Sequence, residues 1–148
     1  MGQVIILKVL IATFCDGARA QGDRLDILGA GVRMFFAEAL PTDIRTWLAT
    51  LIATDDGEIG TKQVVNLRVF DADMNGIGDL QIIITTKKAD RPGLGAQMAG
   101  VTPLKLRCTK EGTYRAQIDV NGNIASSWPF EVVVGAKDSF PFPRLSGY

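Results

Sequence analysis

The sequence predicts an all-β fold: a single antiparallel β-sandwich, immunoglobulin-like or jelly-roll-like, with about eight strands. The prediction depends on apolar and polar residues that alternate in many segments, and on turn residues that recur about every ten positions. The chain has 148 residues, the usual size of one domain with its own core. We assign residues 1–134 to the sandwich and 135–148 to an extended C-terminal tail.

The strands are clearest in the C-terminal half. Apolar residues occupy every second position in 104–108 and again in 114–120, as expected for strands with one dry and one wet face. Residues 110–112 supply the turn between them. Asn121 and Gly122 predict a tight hairpin turn, followed by a β-branched strand at 128–134.

Earlier segments have similar strand-like composition, at 4–14, 25–36, 46–54, 65–69 and 80–84. We expect residues 16–24 to form a polar turn and Trp47 to lie in the core. The longest irregular stretch, 90–101, is expected to cross between sheets. Short connections favour antiparallel pairing, because parallel neighbours need long crossovers.

Composition limits the chemistry. There is no histidine, so the commonest general base and metal ligand is missing, and we predict that the chain is not an enzyme. Sixteen basic and sixteen acidic residues give zero net charge, which argues against nucleic-acid binding and permits self-association. Cys15 and Cys108 are expected to be small buried apolar residues, with a disulfide as the alternative.

The N-terminal segment does not predict export or membrane insertion. Its apolar run is interrupted by Lys8, is preceded by no positive residue and is too short to span a bilayer. We expect a location in the cytoplasm or in an assembled particle, with no membrane partner.

The segment from Asp71 to Asp79 resembles a calcium loop in its first half. Asp71, Asp73 and Asn75 stand at alternate positions, and Asp79 stands at the ninth. Ile82, however, occupies the position of the bidentate glutamate, and strands flank the loop. The alternative is a plain hairpin turn with positive φ at Asn75 and Gly76.

Two glycine-containing segments have structural interpretations. Gly29 and Gly31 imitate the start of a dinucleotide-binding turn, but Met34 replaces the third glycine, and a bend or bulge in a strand is the alternative. Gly112 shortly before an inward Tyr114 is typical of a tyrosine corner.

The tail carries exposed apolar rings, Phe140, Phe142 and Tyr148, which we predict to be interaction residues. Its prolines favour an extended chain. The rings are expected to pack either on their own domain or on a neighbouring subunit.

The chain resembles a small bacterial domain family of unknown function in residues 12–16, 25–31 and 40–41. Residues 112–134 resemble the last strands of an immunoglobulin-like fold. The resemblance implies the fold and no activity. We therefore expect a structural or protein-interaction module that associates with itself, such as a subunit of a virion or other particle. The alternative is a calcium-dependent recognition domain, with calcium as the one possible cofactor.

Overall fold

The computed structural model describes residues 7–21, 24–54, 62–85 and 96–135. The regular elements in these ranges are all strands, which confirms the all-β class. They are β1 (Leu7–Cys15), β2 (Gly17–Gln21), β3 (Arg24–Leu28), β4 (Met34–Ala37), β5 (Thr42–Thr54), β6 (Lys62–Phe70), β7 (Gly76–Thr85), β8 (Ala96–Cys108), β9 (Gly112–Val120) and β10 (Asn123–Val134).

Two main sheets face each other. The front sheet has the order β1-β5-β8, and the back sheet has the order β4-β10-β9-β6-β7. A separate hairpin pairs β2 with β3. This arrangement is broadly that of a β-sandwich.

The core lies between the front and back sheets because every second side chain on each strand points inward. Leu48 on β5, Val69 on β6 and Ile118 on β9 are at most 1% exposed. Phe14 on β1 lies at the centre of an aromatic cluster, with ring centroids 5.3 Å from Phe130 and 5.4 Å from Trp128.

The β2–β3 hairpin covers part of the outer face of the front sheet. Ala49 points outward from β5 in register with Val101 of β8, yet it is fully buried. The hairpin is the element packed against these strands on that side. Its other face is open to solvent and carries the ion pair between Arg19 and Asp26.

The described ranges contain ten strands, compared with about eight predicted, because one predicted turn contains a strand and one predicted strand divides into two. The predicted polar turn 16–24 contains β2 and the start of β3. The predicted strand 25–36 becomes β3 and β4, separated where Gly29 and Gly31 take positive φ values of 68° and 79°. The glycines therefore bend the chain between two strands. This agrees with the predicted bend and not with a dinucleotide-binding turn, because a strand rather than a helix follows the glycines.

Two details of the sequence prediction need correction. β4 pairs with β10 in parallel, whereas fully antiparallel pairing was predicted. Short connections favour antiparallel pairing only between strands that follow each other in the chain, and β4 and β10 are far apart in it. Residues 96–101 were predicted to be irregular, but they begin β8, because the long β5 offers a ladder partner at every position from Thr42 to Thr54.

Several structural predictions are confirmed. Cys15 and Cys108 are buried and unbonded, so the disulfide does not form. Asn121 and Gly122 make the β9–β10 turn with positive φ. Tyr114 is fully buried, and its hydroxyl donates a 2.6 Å hydrogen bond to the carbonyl of Lys110, the contact of a tyrosine corner.

Candidate functional site

The Asp71 loop (residues 71–75) joins β6 to β7 and is closed by the Asp71 side chain. Its Oδ1 accepts hydrogen bonds from the backbone N–H groups of Asp73 and Asn75, both at 2.9 Å. The backbone N–H of Asp71 donates to the carbonyl of Asn75. Positive φ falls on Met74, at 64°, and not on Asn75 and Gly76 as predicted. The loop therefore has the internal bonding of a hairpin turn.

Lys110 lies beside the carboxylates of this loop. Its Nζ donates to Asp73 Oδ2 and lies 3.9 Å from Asp71 Oδ2. Tyr114 fixes the backbone of Lys110 through the hydrogen bond to its carbonyl. The chain thus supplies its own cation at the position where a metal ion would meet both carboxylates.

These contacts shift the pKa values of Asp71 and Lys110 in directions that keep both side chains charged. The N–H of Asn75, with smaller help from Lys110, holds the pKa of the Asp71 carboxyl below its ordinary value. The hydrogen bond to Asp73 raises the pKa of Lys110. The stabilisation from Asp71 is therefore present above the ordinary carboxyl pKa and is lost as the pH falls through the lowered value.

The predicted calcium ligands are only partly brought together. Asp71 and Asp73 share Lys110, while Asp79 lies on β7 in register with Arg68. Within the described ranges, no three His, Cys, Asp or Glu side chains form a group that could hold a metal ion.

A second candidate site is an open groove of about 870 Å³ between β4 and the neighbouring parts of β5 and β8. We call it the Trp47 groove. Its apolar lining comes from three separate segments: Val32, Met34, Phe35, Phe36, Trp47, Pro103 and Leu104. Asp16, Glu38, Arg45 and Lys105 surround this lining and are all exposed. Aromatic residues within a charged rim are typical of protein-binding surfaces.

Trp47 was predicted to lie in the core, and this was wrong. It is 40% exposed, whereas its neighbour Leu48 is 1% exposed. The β5 register pairs Trp47 with Cys15 and Pro103, on the outer face of the front sheet. The core position expected for a tryptophan belongs to Trp128, which packs edge-on against Phe14.

The floor of the groove is supported by the aromatic cluster. Phe35 packs against Phe14 at 5.8 Å and against Phe130 at 5.5 Å between ring centroids. The groove surface is therefore anchored to the core and does not depend on loop conformation alone.

Gly135 belongs to the groove wall. It follows β10 and donates its N–H to the carbonyl of Ala37 at 2.9 Å. Its φ is 142°, a value that favours glycine. The predicted interaction residues Phe140, Phe142 and Tyr148 lie outside the described residues.

Neither cysteine is an activated nucleophile. Burial raises the pKa of the Cys15 and Cys108 thiols, which keeps them protonated at neutral pH. Among the described residues, no helix is long and apolar enough to cross a membrane.

Known structures resemble the chain at low sequence identity. A β-glucosidase from Listeria innocua in complex with glucose is 10% identical with a TM-score of 0.51, over 87% of this chain and 16% of that one. The alkylpurine DNA glycosylase AlkC of Pseudomonas fluorescens, bound to DNA containing an abasic site analog, is 16% identical with a TM-score of 0.44, over 85% and 30%.

A third similar structure is the CARDB domain of the PF1109 protein from Pyrococcus furiosus, in complex with di-metal ions. It is 14% identical with a TM-score of 0.45, over 87% of this chain and 89% of that one. The chain spans less than a third of the glycosylase and about a sixth of the glucosidase. At such identities only the β-glucosidase, with a TM-score above 0.5, supports the fold, and none of the three supports an activity.

The chain has no significant match among curated protein sequences. A family model matches residues 10–133, which includes most of β1 through β10. The chain therefore belongs to DUF6941, a family of unknown function.

Proposed function

We propose that this chain is a non-enzymatic structural or protein-interaction module that associates with itself. The Trp47 groove of one copy binds the aromatic tail of another copy. The observation that carries this proposal is an exposed tryptophan in an apolar groove at the point where the tail leaves the domain.

The chemistry of the tail matches that of the groove. Phe140 and Phe142 alternate with Pro141 and Pro143, a pattern that favours an extended chain without internal hydrogen bonds. Proline-rich extended segments bind grooves lined by aromatic side chains, because little conformational entropy is lost on docking. Trp47 supplies such a surface.

The second copy is the donor of the tail in this proposal. Pro141 and Pro143 favour an extended tail, which can reach a neighbouring copy. Zero net charge also removes the repulsion that would keep copies apart. A particle subunit, such as a virion component, would extend the same contact into a larger assembly.

Two features support a role without catalysis. The chain has no histidine, and the two cysteines are buried. We further propose that the sandwich is immunoglobulin-like, supported by the hydrogen bond from Tyr114 to the carbonyl of Lys110.

Light scattering of the full chain tests the proposal. Replacing Phe140, Phe142 and Tyr148 by serine should reduce the solution mass to that of one 16.0 kDa chain. The matched control replaces the tail charges Lys137 and Arg144 by serine and should keep the mass of the unaltered protein. An unaltered protein that is monomeric at high micromolar concentration, or a mass unaffected by loss of the rings, would overturn it.

A further inference from the structure

An apolar cavity of about 180 Å³ lies between the front and back sheets, on the side of the sandwich opposite to β1. Its walls come from strands of both sheets. The lining includes Thr50, Ile82, Met98, Gly100, Thr102 and Ile118. The cavity belongs neither to the Asp71 loop nor to the Trp47 groove.

The cavity exists because β8 presents small residues to the interior. Its inward positions follow the register with β5, which pairs Gly100 with Thr50 and Thr102 with Leu48. Sandwich sheets stand about 10 Å apart and fill that space with interdigitating side chains. The Thr50 hydroxyl occupies the space beside Gly100, and the short side chain of Thr102 leaves volume that Ile118 on the opposite sheet does not fill.

The side chains in the wall carry two hydroxyl groups, those of Thr50 and Thr102. The Thr50 hydroxyl donates to the carbonyl of Gly100 at 3.5 Å. The remaining lining is aliphatic apart from Thr102. A buried water needs two to four polar partners, so this space favours apolar contents over water.

The cavity has an access route at the side of the sandwich. β7 and β8 are edge strands of different sheets and contact each other there. Ile82 on β7 and Met98 on β8 both line the cavity and are only partly buried. Methionine is flexible, so its side chain can move aside for an entering molecule.

The geometry points to a binding site for an uncharged apolar molecule about the size of benzene, or for the terminal carbons of an alkyl chain that enters between β7 and β8. Cavities of about 150 Å³ with aliphatic walls bind benzene, so the volume fits. A charged or strongly polar ligand would lose its hydration without finding partners.

The melting temperature of the full chain, measured with benzene, tests this inference. Saturating benzene should raise the melting temperature, because a ligand that binds only the folded state stabilises it. Replacing Thr102 by isoleucine should narrow the cavity and weaken benzene binding at least tenfold. The same change at exposed Thr85, at the end of β7, should leave binding unaltered.

Methyl NMR of the unaltered protein gives a second readout. Benzene should shift the methyl signals of Met98 and Ile82, while that of Ile83, which is 59% exposed, should stay in place. Octanol separates the two forms of ligand: stabilisation by octanol shows that an alkyl end enters, and stabilisation by benzene alone shows a compact ligand. No stabilisation by either probe, or binding insensitive to Thr102→Ile, would overturn the site.

Discussion

The Asp71 loop and the Trp47 groove differ in how much of each site is already in contact with other described residues of the chain. In the loop, Asp71 accepts two backbone hydrogen bonds and shares Lys110 with Asp73. In the groove, Trp47 keeps 40% of its surface exposed. The loop carried the stronger sequence signal, but within the described ranges it is the groove that presents an exposed tryptophan side chain.

Because of this difference, a binding partner would gain more free energy at the groove than at the loop. A ligand at the loop has to displace an ammonium group that the protein already supplies, whereas a partner at the groove removes apolar surface from water. Burial of apolar surface contributes about 25 cal/mol per Å². The groove is therefore the better candidate for binding, and the following changes test that ranking.

The largest effect is expected for Phe14→Ala, because Phe14 supports the groove floor and has no role in the loop. Losing this fully buried ring should reduce the free energy of unfolding by about 3–5 kcal/mol. It should also weaken self-association, since Phe35 rests on it. Urea denaturation measures the first effect. The control Leu28→Ala, at a 73% exposed site, should change stability by less than about 0.5 kcal/mol.

Trp47→Ala should act mainly on association. An aromatic residue at the centre of an interface often carries 1.4 kcal/mol or more, so the dissociation constant measured by sedimentation should rise about tenfold. The loss of unfolding free energy should be smaller than that of Phe14→Ala, because Trp47 is partly exposed. Equal dissociation constants for Trp47→Ala and the control Leu28→Ala would reject the groove as an interface.

Tyr114→Phe removes one hydrogen bond behind the loop and leaves the ring in place. The Lys110 carbonyl loses its 2.6 Å partner, so the free energy of unfolding should fall by about 1 kcal/mol. Association should not change. A loss below about 0.3 kcal/mol in denaturant unfolding would show that the tyrosine-corner contact is not stabilising.

The smallest effect concerns calcium at the Asp71 loop. Lys110→Met removes the ammonium group shared by Asp71 and Asp73, so millimolar calcium should raise the melting temperature of this variant by more than that of the unaltered protein. Lys105→Met, at the groove rim, is the control. A larger calcium effect on the unaltered protein would favour the calcium-binding alternative.

The sequence predicted best those segments in which one face is apolar and the other polar. β9 alternates cleanly, and Tyr114 and Ile118 both point into the core. In β5 both faces are apolar around Trp47 and Leu48, so alternation could not show which of the two pointed inward. A shift of one position reverses the side of every residue on a strand. The pairing of β5 with β1 and β8 determines that Leu48 points inward and Trp47 outward.

The two candidate sites also differed in how well the sequence could predict them. The Asp71 loop is local, so its turn was readable from a few consecutive residues, although the role of Lys110 depends on a contact 37 positions away. The Trp47 groove joins β4, β5, β8 and Gly135, which no local pattern connects. Its one usable signal was a tryptophan in a strand with apolar residues on both faces.

Mixing two defective variants tests most directly whether the groove of one copy binds the tail of another. One variant carries Trp47→Ala with an intact tail, and the other carries Phe140→Ser, Phe142→Ser and Tyr148→Ser with an intact groove. At a protein concentration near the dissociation constant of the unaltered protein, each should be mostly monomeric alone, and the mixture should form a one-to-one complex in sedimentation, because one groove–tail contact is restored. A mixture that stays monomeric while the unaltered protein associates would contradict the account.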